Sequence, residues 1–71
     1  MGADITVERP DNLDLNNLYK ECREVPIDVD VEDDKIHFHY GYWSDRHTLN
    51  CERFVANFCR KNKIELGEWG Y

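Results

Sequence analysis

His37 and His39 stand two residues apart in a run that alternates polar and apolar side chains, Lys35-Ile36-His37-Phe38-His39-Tyr40. On a β-strand that spacing points both imidazoles to one face. A matching run, Ile27-Asp28-Val29-Asp30-Val31-Glu32, precedes it, and Asp33-Asp34 lies between the two. Two alternating runs joined by two turn-forming residues predict a β-hairpin. Val31 then faces Ile36, Val29 faces Phe38 and Ile27 faces Tyr40. On the opposite side Glu32 falls across from Lys35, Asp30 from His37 and Asp28 from His39. A carboxylate beside an imidazole favours the imidazolium. The cluster has three chemical uses: holding a divalent metal, responding to pH, or moving protons. It also reads as plain cross-strand charge pairing on a solvated surface, worth about 0.2–1 kcal/mol per pair. Catalysis would need a nucleophile or a Gly-rich loop beside it, and the sequence has neither. The expectation is a protein that is not an enzyme and carries no cofactor or resident metal.

His47 and Cys51, spaced i and i+4, are two side chains of the kind that ligate zinc. No CxxC or HxxxH completes a set of four, so a core cysteine beside a capping or surface histidine explains them equally. Cys22 and Cys59 fall on apolar helical stripes and read as small core residues. An odd count of three cysteines without CxxC pairing suits reduced thiols. The aromatic run Phe38, Tyr40 and Tyr42 resembles a base-stacking platform only superficially. It shares its face with Ile36, and the other face is acidic, so these rings belong to a core. Trp43 follows as an edge residue, either capping that core or anchoring a partner.

The elements that must position these groups follow from periodicity. Ala3-Asp4-Ile5-Thr6-Val7-Glu8-Arg9 alternates as a short half-buried strand that Pro10 stops. Asp11, Asn12 and Asp14 offer capping oxygens to a helix over about 13–24, with Leu15, Leu18, Tyr19 and Cys22 as its apolar stripe. Pro26 ends it, the residue before proline being pushed away from the α region. Ser44, Asp45 and Thr48 are alternative caps for a second helix, whose inner stripe is Cys51, Phe54, Val55, Phe58 and Cys59. Glu52, Arg53, Asn57, Arg60 and Lys61 lie outside, and Arg60, Lys61 and Lys63 suit the helix C-terminus. Ile64 and Leu66, alternating with Glu65, make a last short strand. The order β-α-β-β-α-β predicts an α+β fold, a small two-layer sandwich of the ferredoxin-like type. In it two helices cover one face of an antiparallel sheet with the first and third strands central. The other face would carry Asp4, Thr6, Glu8, Asp28, Asp30, Glu32, His37, His39, Trp43 and Glu65.

Seventy-one residues allow one domain, 1–71. A hydrophobic content of 41%, with two tryptophans, four tyrosines and three phenylalanines, suffices for one core in so short a chain. Residues 1–34 hold eleven acids against three bases, a net −8, whereas residues 35–71 hold four acids and six bases, a net +2. Coulomb repulsion disfavours direct contact of the acidic half with nucleic acid or anionic lipid. No apolar run spans a bilayer and no signal-like segment follows Met1, so the expected location is the cytoplasm.

Asp28, Asp30, Glu32, Asp33 and Asp34 place five acids within seven residues. Charge on an edge strand keeps other strands away, and this alone accounts for part of the density. Carboxylates two residues apart on a strand are about 7 Å apart, near the spacing of successive phosphates. The leading expectation is therefore a protein-binding module of the inhibitor, adaptor or nucleic-acid-mimic kind, docking on a basic protein. Its contact residues are Asp28, Asp30, Glu32, Asp33, Asp34, His37, His39 and Trp43. One alternative is a metal- or pH-responsive domain built on His37 and His39 with Asp28 and Asp30. The other is a structural domain that self-associates through its sheet edges.

Overall fold

The computed structural model describes residues 2–41 and 43–64, together with the strand pairing of 69–70. β1 (Gly2–Glu8) alternates exposed and buried residues along its length. Ala3, Ile5 and Val7 point inward. α1 runs Leu15–Glu24, and the Asp14 carboxylate accepts a hydrogen bond from the Asn17 N–H at 3.2 Å. Of the three capping candidates, Asp14 is the one used at this position, so the helix begins two residues later than expected. Leu18 and Cys22 are its buried residues. Tyr19, expected on the same stripe, is 41% exposed. The far end differs from the expectation too. Val25 keeps α-region dihedrals before a cis Val25–Pro26 bond, and the chain leaves the helix with the Ile27 N–H donating to the Cys22 carbonyl.

β2 (Asp28–Val31) and β3 (Lys35–Gly41) form the expected antiparallel hairpin. Its register is Asp28 with His39, Val29 with Phe38, Asp30 with His37 and Val31 with Ile36. The Glu32 N–H closes the loop on the Lys35 carbonyl at 2.8 Å. Arg9, at the exit of β1, pins this loop from the side. Its backbone N–H donates to the Asp34 carbonyl and its guanidinium to the Glu32 carbonyl, both at 3.0 Å. β3 also pairs antiparallel with β1, Ile5 opposite Phe38 and Val7 opposite Ile36. Gly2 meets β3 so closely that an added Cβ would lie 2.6 Å from the Tyr40 carbonyl oxygen.

α2 (Asp45–Lys61) is capped by Ser44, whose hydroxyl accepts from the His47 N–H. Its stripe of Cys51, Val55 and Cys59 is buried, and Phe54 and Phe58 are half-buried against the core. Phe38 stands edge-on to Phe54 and Phe58, with ring centroids 5.9 and 5.5 Å away. The result is an α+β domain: an antiparallel sheet whose inner face, Ile5, Val7, Ile36, Phe38 and Tyr40, packs with the apolar stripes of two helices. Among the described residues, no helix is long and apolar enough to cross a membrane. A two-residue strand, β4 (Trp69–Gly70), pairs antiparallel with β1 at Ile5 and Asp4. The last strand expected at Ile64, Glu65 and Leu66 is not seen at Ile64, which carries no strand assignment, and its remaining residues lie outside the described residues, as do Tyr42 and Tyr71.

α2 ends in a Schellman turn. The Lys63 N–H donates to the Arg60 carbonyl and the Ile64 N–H to the Cys59 carbonyl, with Lys63 at φ 57°. A β-carbon in that left-handed region costs roughly 1–2 kcal/mol that glycine avoids. Glycine loses more backbone entropy on folding, which offsets part of the gain. Lys63→Gly should therefore raise stability by about 0.5–1 kcal/mol, seen as a higher urea midpoint at unchanged slope.

Candidate functional site: the outer face of the sheet

Because β3 buries Ile36, Phe38 and Tyr40, its alternate residues His37 and His39 must stand on the opposite face. Neighbouring strands supply the partners. His39 lies across from Asp4 on β1, and His37 across from Thr6. These two contacts form directly: His39 Nδ1 with the Asp4 carboxylate, and His37 Nδ1 with the Thr6 hydroxyl at 2.9 Å. Toward β2 the side chains reach two residues along the chain instead. His39 Nε2 meets Asp30 at 3.2 Å and His37 Nε2 meets Glu32 at 2.5 Å. The sequence-based pairing of Asp28 with His39 and Asp30 with His37 thus holds for the backbone register and fails for the side chains. Strand twist displaces facing side chains, and diagonal neighbours remain within reach of an imidazole.

Two polar rows cross the sheet as a result. One is Asp4–His39–Asp30, with one residue from each of the three strands. The other is Thr6–His37–Glu32. The two imidazoles stack at 6.4 Å between centroids. Their hydrogen-bonding chemistry differs. An ionised carboxylate only accepts, so His39, with a carboxylate at each nitrogen, is fully satisfied only as the doubly protonated cation. Its pKa is raised, chiefly by the hydrogen bond to Asp4 and further by the charges of Asp4 and Asp30, against a smaller opposing effect of burial. His37 faces one carboxylate and one hydroxyl. The Thr6 hydroxyl can donate to or accept from the ring nitrogen it faces.

Asp28, Asp30, Glu32, Asp33 and Asp34 are all exposed, as are Asp4 and Glu8 beside them. Lys35 is the base on this side of β3. Trp43 sits at the end of the face and is 72% exposed. Its indole nitrogen lies 3.0 Å from where a Cβ on Gly41 would be, and its ring stacks on His47 at 4.4 Å. His47 is half-buried, and its Nε2–H donates to the Pro26 carbonyl at 2.7 Å. Cys51 Sγ lies 3.5 Å from the same nitrogen. These two are neighbours without further ligands. Among the described residues, no three His, Cys, Asp or Glu side chains are grouped to hold a metal ion.

Asp4 and Thr6 are site residues that the hairpin pattern alone could not supply. The signal was present in the first strand: matching Ile5 to Phe38 and Val7 to Ile36 puts Asp4 on His39 and Thr6 on His37. Compared with known proteins, the chain matches no family model, no curated protein and no solved structure.

His39 sets a pH dependence whose sign follows from its raised pKa. The stabilising contribution is complete below about 6.5, the ordinary histidine value, and is lost as pH rises through the folded value. Asp4→Asn removes the largest cause. The His39 ring signals in an NMR titration should then move to a lower midpoint, and the loss of Tm relative to wild type should be larger at pH 6 than at pH 9.

The thiols test the burial of the other face. Desolvation pushes Cys22 and Cys51 up to about 11 and raises Cys59 as well. A rise of two units lowers the thiolate fraction on the order of a hundredfold. Disulfide-exchange reagents at pH 8 should label all three slowly in the folded protein and rapidly in urea.

Proposed function

We propose that this chain is a binding module of the ferredoxin-like type that docks a basic protein partner on the outer face of its sheet. The observation that carries this reading is the composition of that face. Asp4, Glu8, Asp28, Asp30 and Glu32 stand exposed beside Asp33 and Asp34 in the loop, while the apolar residues of the same strands turn toward the helices. For the fold, the supporting feature is the pairing of Trp69–Gly70 along β1 on the side away from β3. Opposite charge steers such an encounter and makes it salt-sensitive, since the screening length falls from about 10 Å at 0.1 M salt to about 3 Å at 1 M. Trp43, apolar and exposed at the end of the face, is the anchor in this reading. Inhibitor, adaptor and nucleic-acid-mimic roles all use a surface of this kind.

A proton-responsive variant is favoured by one observation, the placement of His39 between Asp4 and Asp30. Loss of its proton makes the face more negative, so binding of a cationic partner strengthens as pH rises through the His39 value. The test is calorimetry with poly-lysine as the probe, at low and high salt, for the wild-type chain and for Asp28→Asn/Asp30→Asn. Binding should weaken at least tenfold with salt and with the double substitution. Equal binding under all these conditions would remove the proposal.

A further inference from the structure

β2 ends the sheet on the side away from β1, with β3 as its neighbour. In an antiparallel pair, alternate residues direct their backbone groups inward and outward. Glu32 bonds to Lys35, so Asp30 and Asp28 also bond inward to β3, and the N–H and C=O groups of Val29 and Val31 point outward. An open groove of about 530 Å³ lies beside this edge, lined by Asn16, Tyr19, Cys22 and Arg23 of α1 and by Ile27, Asp28 and Val29. A strand edge next to a helix wall, with a channel between them, is the geometry that accepts an extended peptide as one more strand.

We infer that β2 and α1 form a strand-addition site for an extended peptide that alternates basic and apolar residues, the Val29 and Val31 backbone groups supplying the hydrogen bonds. The inference rests on the basic-partner reading and gives that partner a conformation and a pattern. The side chains of an added strand alternate in step with β2. Residues across from Asp28 and Asp30 emerge on the outer face beside those exposed carboxylates, where Lys or Arg is favoured. Residues across from Val29 and Val31 emerge on the helix side, against half-buried valines and Tyr19. There Arg23 opposes a second cation, so a uniformly basic peptide fits less well than an alternating one. A second copy of this chain is a poor occupant, because its own Asp28 and Asp30 would meet the same carboxylates.

The experiment titrates the pentapeptide Lys-Val-Lys-Val-Lys, with blocked ends, into the isotopically labelled full chain and follows the amide spectrum. Addition of a strand should shift the Val29 and Val31 amides and slow their hydrogen exchange at least tenfold at saturation. N-methylating the peptide amides that face β2 should abolish binding, while N-methylating the alternate set should preserve it. Val31→Pro, which removes an outward N–H at an edge where proline is tolerated, should lose the peptide while keeping the remaining spectrum. The inference is overturned if a scrambled peptide, Lys-Lys-Lys-Val-Val, binds equally well with shifts centred on Asp4 and His39. In that case the basic-partner reading stands without strand addition. Absence of shifts with either peptide at millimolar concentration overturns the strand-addition site, and if poly-lysine also fails to bind, the broader reading falls with it.

Discussion

The two-residue period of β3 is the constraint on which the rest of the molecule depends. Phe38 is fully buried, faces Ile5 across β1 and meets the rings of Phe54 and Phe58 from α2. Seating that one ring fixes which side of the strand faces the helices. His37 and His39 have no freedom after that: the alternation that buries Ile36, Phe38 and Tyr40 delivers both imidazoles to the outer side. A strand paired on both sides cannot turn over without exposing its whole apolar set, so the core and the outer face are two results of one packing decision.

The two polar rows share a backbone and differ in chemistry. Asp4–His39–Asp30 offers acceptors to both ring nitrogens and so favours a cation, whereas Thr6–His37–Glu32 sets one carboxylate and one hydroxyl, which can donate or accept, against its ring. Charge on this side is therefore set by His39 as well as by the number of acids. The row is exposed enough for water and salt to screen it, which makes it a weak source of stability. Its chemical content is a surface potential that changes with pH. The β2 edge borders this outer face, and in the proposed strand addition its backbone would give an added peptide a direction and register that exposed carboxylates alone do not.

Much of this was legible in the residue pattern. The hairpin register followed from matching Val31 to Ile36 and Val29 to Phe38, because a slip by one would have exposed every apolar residue. Both helices and the burial of three cysteines followed from spacing, which placed Ser44 among three candidate caps for the second helix. Three features did not. The carboxylates that His37 and His39 meet on the β2 side lie two residues along from their backbone neighbours, since strand twist acts on side chains and leaves no trace in the alternation. Arg9 reads as an ordinary charge after a strand, yet it holds the hairpin loop through two carbonyls, a contact between residues more than twenty positions apart. Tyr19 fits the apolar stripe of α1 by period alone. In the folded chain it lines the open groove beside Ile27, Asp28 and Val29, an arrangement that no local pattern encodes.

The row through His39 has a consequence for assembly. Its two carboxylates arrive from different strands, and each comes from the outward set of its own strand. If β1 slid by one position, Ala3 or Ile5 would face the imidazole in place of Asp4, and an ionised carboxylate would turn toward the helices. The same slip in β2 would present Val29 or Val31. Either error removes one of the two carboxylates at the imidazole and turns a charged side chain toward the apolar side of the sheet. The alignment of the strands on both sides of His39 is thus selected twice by one alternation, strongly by the apolar residues that a slip would expose and weakly by the solvated polar row.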